Sequence, residues 1–278
     1  MLIFYSFHEL SQFQIHNPIT NLGFVPTMGA LHKGHLSLIE ASKNENEFTI
    51  CSIFVNPTQF DNPNDLLKYP RNVNEDIEKL AEIGCDFVYI PATNDLYPNG
   101  LQTDNIDLNG LDNEMEGVFR KGHFAGVATV VKRLFLQVKP RNAYFGEKDF
   151  QQLQIIKQMV KAENVDVNVI GMPIIREKNG LAMSSRNLRL TAIERNEASI
   201  IFKNLCFAKD NFTQLSFDEI IEKIKVNFKN SSLKLEYFII ANEDTLKPEN
   251  HHQKDKNYRA FISAFCGEVR LIDTMKMI

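Results

Sequence analysis

Two histidines three residues apart, His32 and His35, lie in the segment VPTMGALHKGHLSLI, directly after a short apolar run ending at Val25. Side chains at i and i+3 share one face of a helix, and the free N–H groups of a helix start already favour an anion. Two imidazoles held there suit a chain of phosphates, above all one that gathers charge during displacement at phosphorus. Gly29 and Ala30 just before them are small enough for backbone to approach a ligand closely. Two other readings stay open. A His-x-x-His pair could hold a metal, although paired zinc histidines are usually spaced i, i+4 around a glutamate, and Lys33 here has the wrong charge. The two rings could also simply cap a helix in solvent.

Three further segments carry polar residues after apolar runs. In IFVNPTQF, Asn56 and Gln59 could read the hydroxyl and carboxylate groups of a small substrate, or Asn56-Pro57 could merely start a turn. In AYFGEKDFQQLQII, Lys148 lies at the mouth of a helix, where it opposes the helix dipole. That mismatch favours a phosphate-holding role over a stabilising one. Gln152, four residues on, lies on roughly the same face, and Asp149 reads equally well as an N-cap. In REKNGLAMSSRN, Ser184, Ser185 and Arg186 offer two hydroxyls and a guanidinium able to clamp a phosphoryl group, or form an ordinary linker.

The elements that must position these residues alternate. Residues 22–25, 48–55, 87–90, 143–145 and 165–170 read as strands, and 34–43, 72–83, 127–138 and 150–162 as helices. Such alternation predicts an α/β fold, a doubly wound and mostly parallel sheet with helices on both faces. Ligands bind beyond the carboxyl ends of such strands, where all of the first three segments fall. After Gly180 the pattern becomes two amphipathic helices, 191–208 and 217–228, then strands 233–240, 258–265 and 269–273 around a polar stretch at 242–256. This predicts a small α+β domain, with residues 1–176 forming the larger domain and 177–278 the smaller.

The chain has 278 residues, 44% hydrophobic and 24% charged, a composition that excludes disordered, collagen-like and coiled-coil classes. Its net charge of −4 argues against a general nucleic-acid binder. Four cysteines without CxxC spacing point to a reduced, cytoplasmic protein, and Cys51, inside FTICSIFV, to a buried thiol. The apolar start MLIFYSF lacks the basic flank and cleavage site of a signal peptide. No apolar run approaches the roughly 18 residues needed to span a bilayer, so no membrane partner is expected.

Taken in order, VPTMGALHKGH, SIFVNPTQF, KYPR, EGVFRKGHFAGVATVV, YFGEKDFQQL and REKNGLAMSSRN resemble the pantoate–β-alanine ligases of coenzyme A biosynthesis. The resemblance spans residues 25–187 and is carried beyond them by size more than by motif. It implies a Rossmann-like domain of the nucleotidyltransferase superfamily, which includes the class I aminoacyl-tRNA synthetases, with a C-terminal lid. It also implies a two-step reaction: ATP and (R)-pantoate give pantoyl adenylate and pyrophosphate, then β-alanine displaces AMP. By the same resemblance Met28, Gly29, Ala30, Leu31, His32, Lys33, Gly34 and His35 form the ATP segment, with His35 and His32 catalytic on the phosphates. Asn56, Gln59 and Gln152 would contact pantoate, with Gln59 shared with β-alanine. Gly146, Glu147, Lys148 and Asp149 would lie along the nucleotide, with Lys148 on its phosphates. Ile175 would reach adenine through its backbone, and Met183, Ser184, Ser185 and Arg186 would close on the phosphates. The family is generally dimeric and uses Mg²⁺; Glu75 and Asp76 are the acidic residues to weigh as its ligands, which the motifs leave unknown. Lys121 replaces a common Pro, and Asn179 a common Asp. The alternative activity is transfer of a nucleotide onto a phosphorylated small alcohol, which would share the H-x-G-H segment.

Overall fold

Apolar runs become the central strands. The computed structural model describes all residues, Met1–Ile278. In chain order the first elements are β1 (Leu2–Phe4), α1 (Phe7–His16), β2 (Leu22–Thr27), α2 (Lys33–Glu45), β3 (Phe48–Ile53), α3 (Pro63–Lys68), α4 (Val73–Glu82) and β4 (Phe87–Tyr89). Short helices α5 (Thr93–Leu96) and α6 (Glu116–Phe119) lead to α7 (His123–Val138), β5 (Asn142–Gly146), α8 (Phe150–Ala162) and β6 (Asn168–Met172). The six strands form one parallel sheet in the order β1-β4-β3-β2-β5-β6. The order reverses between β2 and β5, and a doubly wound sheet opens its ligand crevice at that switch point.

Alternation along β2 divides the core. Val25 joins its register neighbours Cys51 and Val88 and packs with Leu38 and Ile39 of α2 and Leu80 of α4. Phe24, on the other side, meets Phe135 of α7 edge-on at 6.1 Å, and Phe135 in turn meets Phe145 of β5. With both faces covered, the strands must be apolar almost throughout. Cys51 is fully buried, and burial pushes its thiol well above the ordinary value and that of Cys85 up to about 12.

Several boundaries differ from the sequence expectation. The start of the chain, read only as not a signal peptide, forms β1 and α1, with Ser6 accepting from the Glu9 N–H and Glu9 Oε2 from the Tyr5 N–H. Strand 165–170 moves to Asn168–Met172, because Asn164 adopts a left-handed φ of 51° and the Val165 N–H turns back to Val160 O.

The second part contains α9 (Ala192–Glu197), α10 (Ile200–Asp210), α11 (Phe217–Lys229) and an antiparallel sheet of β7 (Lys234–Asn242), β8 (Tyr258–Cys266) and β9 (Val269–Lys276), in that spatial order. Ile201 and Leu205 of α10 and Phe217, Ile220 and Ile224 of α11 pack with Ile240, Tyr258 and Ile262 of the sheet. The single helix expected at 191–208 is two, because the Ser199 N–H bonds Asn196 O three residues back and tightens the turn.

Packing divides the chain into two compact units, Met1–Gly146 with Gln152–Pro173, and Glu147–Gln151 with Ile174–Ile278. The turn after β5, which chain order assigns to the first, packs with the second. No helix is long and apolar enough to cross a membrane.

Candidate active site

In the first unit, β2 ends at Thr27, whose Oγ1 accepts from the Gly29 N–H at 3.1 Å and donates to Ser52 O of β3. Gly29 and Ala30 both take left-handed conformations, with φ of 79° and 51°. The Asp76 carboxylate of α4, 1% exposed, accepts from the Ala30 N–H at 2.8 Å and the Leu31 N–H at 2.7 Å. Lys79, one turn on, donates to Leu31 O at 2.9 Å. A Cβ at Gly29 would stand 2.8 Å from Asp76 Oδ2, so the clamp needs glycine there.

The clamped loop delivers His32 as the N-cap of α2. The Gly34 N–H donates to His32 Nδ1 at 3.1 Å. With Nδ1 accepting, the neutral ring carries its proton on Nε2, leaving that nitrogen a donor. The His32 and His35 rings stack at 4.0 Å between centroids, so the paired-face expectation holds. Both are half-buried beside the helix start.

The loop after β3 joins them. Asn56 caps the one-turn 3₁₀ segment Pro57–Gln59. Its Nδ2 donates to Gln59 Oε1 at 3.1 Å and Gly126 O of α7 at 3.2 Å, and its Oδ1 accepts from the Tyr97 hydroxyl at 2.6 Å. Gln59 Nε2 contacts Met28 Sδ at 3.1 Å, linking the β3 loop to the histidine loop. The Gln59 carbonyl accepts from His123 Nδ1 at 2.7 Å and Arg120 Nη2 at 3.4 Å. Thus Met28, His32 and His35 lie on one loop and helix start, tied to Asn56 and Gln59 on the next. Gln152 is half-buried in the first turn of α8, the helix after β5.

Gly146 ends β5 in the first unit, and the second unit holds Glu147, Lys148, Asp149, Ile175 and Met183 to Arg186. Glu147, Lys148 and Asp149 form a 3₁₀ turn, and Asp149 Oδ2 lies 3.2 Å from Lys148 Nζ. Glu147 is paired with Arg259 of β8 at 3.1 Å. Ile175 O accepts from the Met183 N–H at 2.9 Å, and Arg176 bridges to Ala182, making a small hairpin that leads into residues 183–186. Ser184 caps the 3₁₀ turn Ser185–Arg189 by accepting from the Arg186 N–H. Arg176 anchors this hairpin through Asp273 of β9, at 2.6 and 3.1 Å, and through Gly180 O. The turns carrying Lys148 and Arg186 both pack against β9. Asn179, one departure from the family pattern, donates to Arg195 O and accepts from the Leu181 N–H. The other departure, Lys121, precedes the left-handed Gly122 that starts α7.

The two acids weighed as Mg²⁺ ligands, Glu75 and Asp76, both have partners within the chain. Glu75 pairs with Lys79 at 2.6 Å and Asn72 at 2.8 Å, while Asp76 holds the loop. No three His, Cys, Asp or Glu side chains gather as a metal site. Sequence reading missed the clamping role of Asp76, the Tyr97 and His123 contacts behind Asn56 and Gln59, and the anchors Arg176, Arg259 and Asp273. The Asn72-x-x-Glu75 capping pattern places the α4 start, and with it Asp76, but not what Asp76 touches.

A parallel, doubly wound sheet with a histidine-bearing helix start beside its switch point defines a Rossmann-like nucleotide-binding protein. The profile of the family described as pantoate-beta-alanine ligase matches residues 3–276. The chain belongs to that family. It is 50% identical over 259 residues to the pantothenate synthetase of Christiangramia forsetii, covering 92% of each chain. It is 45% identical to that of Bacteroides fragilis, covering 92% of this chain and 90% of that one. The crystal structure of pantothenate synthetase from Thermus thermophilus superposes with a TM-score of 0.92 at 37% identity, covering 100% of this chain and 99% of that one. The Francisella tularensis pantoate-beta-alanine ligase, complexed with beta-gamma ATP and beta-alanine, superposes with a TM-score of 0.82 at 39% identity, covering 100% and 98%.

Proposed function

We propose that this chain condenses (R)-pantoate with β-alanine at the expense of ATP, through pantoyl adenylate, releasing pyrophosphate and AMP. The observation that carries the reading is the stacked His32–His35 pair at the start of α2, tied through Met28 to Gln59. A phosphate grip and a pair of amides for a small hydroxy acid then stand on adjacent strand-end loops. The ATP and β-alanine held by the Francisella relative support the same pairing of ligands.

A carboxylate is a poor acyl donor because its oxygen leaves badly, and adenylation converts that oxygen into part of AMP. The protein's work in the first step is orientation and charge stabilisation. His32, donating from Nε2, and His35 stabilise charge growing on the phosphates. Asn56, Gln59 and Gln152 orient pantoate so that its carboxylate faces the α-phosphorus. Lys148, with Glu147, Asp149 and Gly146 along the nucleotide, and Ser184, Ser185 and Arg186 of the smaller unit complete the phosphate contacts. Ile175 and Met183 border adenine and phosphate. The unit of residues 1–146 and 152–173 would carry the two histidines and the pantoate amides, and the other unit Lys148 and Arg186. Mg²⁺ keeps several waters and leans on substrate phosphates. No group of three ligating side chains gathers here, so the ion would arrive on ATP. A cytoplasmic homodimer is part of the same reading.

Pantoate-dependent exchange of labelled pyrophosphate into ATP, without β-alanine, tests it. Exchange is expected in the native protein and lowered about 10²–10³-fold in His35→Ala and Lys148→Ala, with AMP release requiring the amine. A stable nucleotide-linked product formed with no amine would establish nucleotide transfer to a phosphorylated alcohol instead.

A further inference from the structure

Lys148 stands on a single 3₁₀ turn between β5 and α8, and three residues provide a weak platform for a group that must meet a phosphate. The side chain that holds this turn comes from β8. Arg259, 4% exposed, lies on that central strand between Ala241 of β7 and Lys276 of β9. Its Nη2 donates to Glu147 Oε2 at 3.1 Å and its Nε to Glu243 Oε1 at 2.8 Å. Its Cζ lies 3.9 Å from the centroid of the Phe150 ring, which itself packs on Phe261. Glu147 and Phe150 immediately flank Lys148 and Asp149, so one buried guanidinium holds both ends of that pair. A neutraliser for Glu243 alone would need neither the second carboxylate nor the ring. A planar fork bonded on two edges and stacked on one face has a single favourable orientation, set here on a strand paired on both sides. β9 packs against the same turn.

We propose that Arg259 is a positioning residue for adenylate formation, setting Lys148 through Glu147 and Phe150. The proposal rests on the reading of Lys148 as a phosphate-binding group. It makes the C-terminal sheet, rather than the strand Lys148 follows, the determinant of where that ammonium stands.

The test is a double-mutant cycle on the full chain, read by pyrophosphate–ATP exchange. Arg259→Lys keeps the charge but loses the fork and stack; Phe150→Leu removes only the ring and covers the case in which the first variant folds poorly. Each is expected to lower exchange turnover about 10- to 100-fold, since misplacement near 1 Å costs about 10²-fold, with pantoate KM little changed. In a Lys148→Ala background neither should lower it further, because both act through the missing group. Equal losses with and without Lys148, or wild-type turnover in both single variants beside a defective Lys148→Ala, would overturn the Arg259 proposal alone. Wild-type exchange in Lys148→Ala would remove the Lys148 reading and this proposal with it.

Discussion

The Leu31 N–H donates to the buried carboxylate of Asp76 at 2.7 Å across 45 residues of sequence. With the Ala30 N–H on the other oxygen, one side chain of α4 holds the loop that presents His32 and His35. Ala30 takes a left-handed conformation, which costs a non-glycine residue on the order of 1 kcal/mol. Two charge-assisted hydrogen bonds offset that cost and fix the entry into α2.

Asp76→Asn tests this clamp. An amide offers one acceptor oxygen for two buried donors, so a stability loss of about 1–3 kcal/mol is expected, together with about tenfold weaker exchange activity. Denaturant unfolding and pyrophosphate exchange check it, and full activity in the variant would count against the role. The pH dependence has a defined sign. Burial pushes the Asp76 carboxyl above the usual range, against the Leu31 and Ala30 N–H groups and Lys79, which lower it. A folded pKa above the unfolded one means the Asp76 share of stability is fully present below the unfolded value, about 3.9, and is lost as pH rises through the folded value. The stability of the native protein minus that of Asp76→Asn should therefore fall as pH is raised from about 4 to about 7. A rise would contradict the direction.

Gly126→Ala should disturb the substrate loop from behind. A Cβ at this position of α7 would lie 2.4 Å from Thr58 O and 2.8 Å from Gln59 N, both backbone atoms. Overpacking of this kind costs about 1–3 kcal/mol. A lowered melting temperature with a raised pantoate KM is expected, and unchanged values of both would show that the loop yields freely.

Asn56 and Gln59 should separate in stability while agreeing in substrate use. Asn56 is 1% exposed and bonds Tyr97, Gly126 and Gln59. Asn56→Ala should cost about 1–3 kcal/mol by stranding those groups. Gln59→Ala removes the Oε1 acceptor of Asn56 Nδ2, which keeps Gly126 O, and a contact to Met28 sulfur, so it should melt closer to the native protein than Asn56→Ala. Both should raise pantoate KM, since a polar site penalises an unmatched partner. Equal melting temperatures would refute the assignment of Asn56 as the structural hub.

Asp273→Ala should be among the most destabilising single changes in the smaller unit. Asp273 is 2% exposed and pairs with Arg176 at 2.6 Å. Removing one partner of a buried pair typically costs about 3–5 kcal/mol because the other charge is stranded. Arg176→Met combined with Asp273→Leu should recover most of that loss. Equilibrium unfolding of the two variants gives the comparison, and a double variant no better than Asp273→Ala would contradict it.

Much of the fold was legible locally. β2, β3 and β5 appear as apolar runs and α8 runs over the expected Phe150–Ala162, because strand and helix periodicity is a property of neighbouring residues. The edge strand β1 was not, since three residues carry too little pattern, although Ser6-x-x-Glu9 carries a cap signal for α1. The histidine pair and the two amides were legible because glycine and turn residues mark strand ends. Asp76 reads in sequence as one more acid on a polar helix start, where it suggested a metal ligand; its partners are backbone atoms that no side-chain pattern records.

By itself, then, the order of residues determined the alternating elements, the strand-end segments that carry His32, His35, Asn56, Gln59, Lys148 and Arg186, and through their joint spacing the family. The tertiary structure decided which of these side chains are held and by what: Asp76 on the Leu31 loop, Arg259 at Glu147 across 112 residues, and Asp273 at Arg176 across 97. Periodicity and turn chemistry act over one or two turns of chain, whereas a buried charge finds its partner only when distant elements pack and exclude water around them.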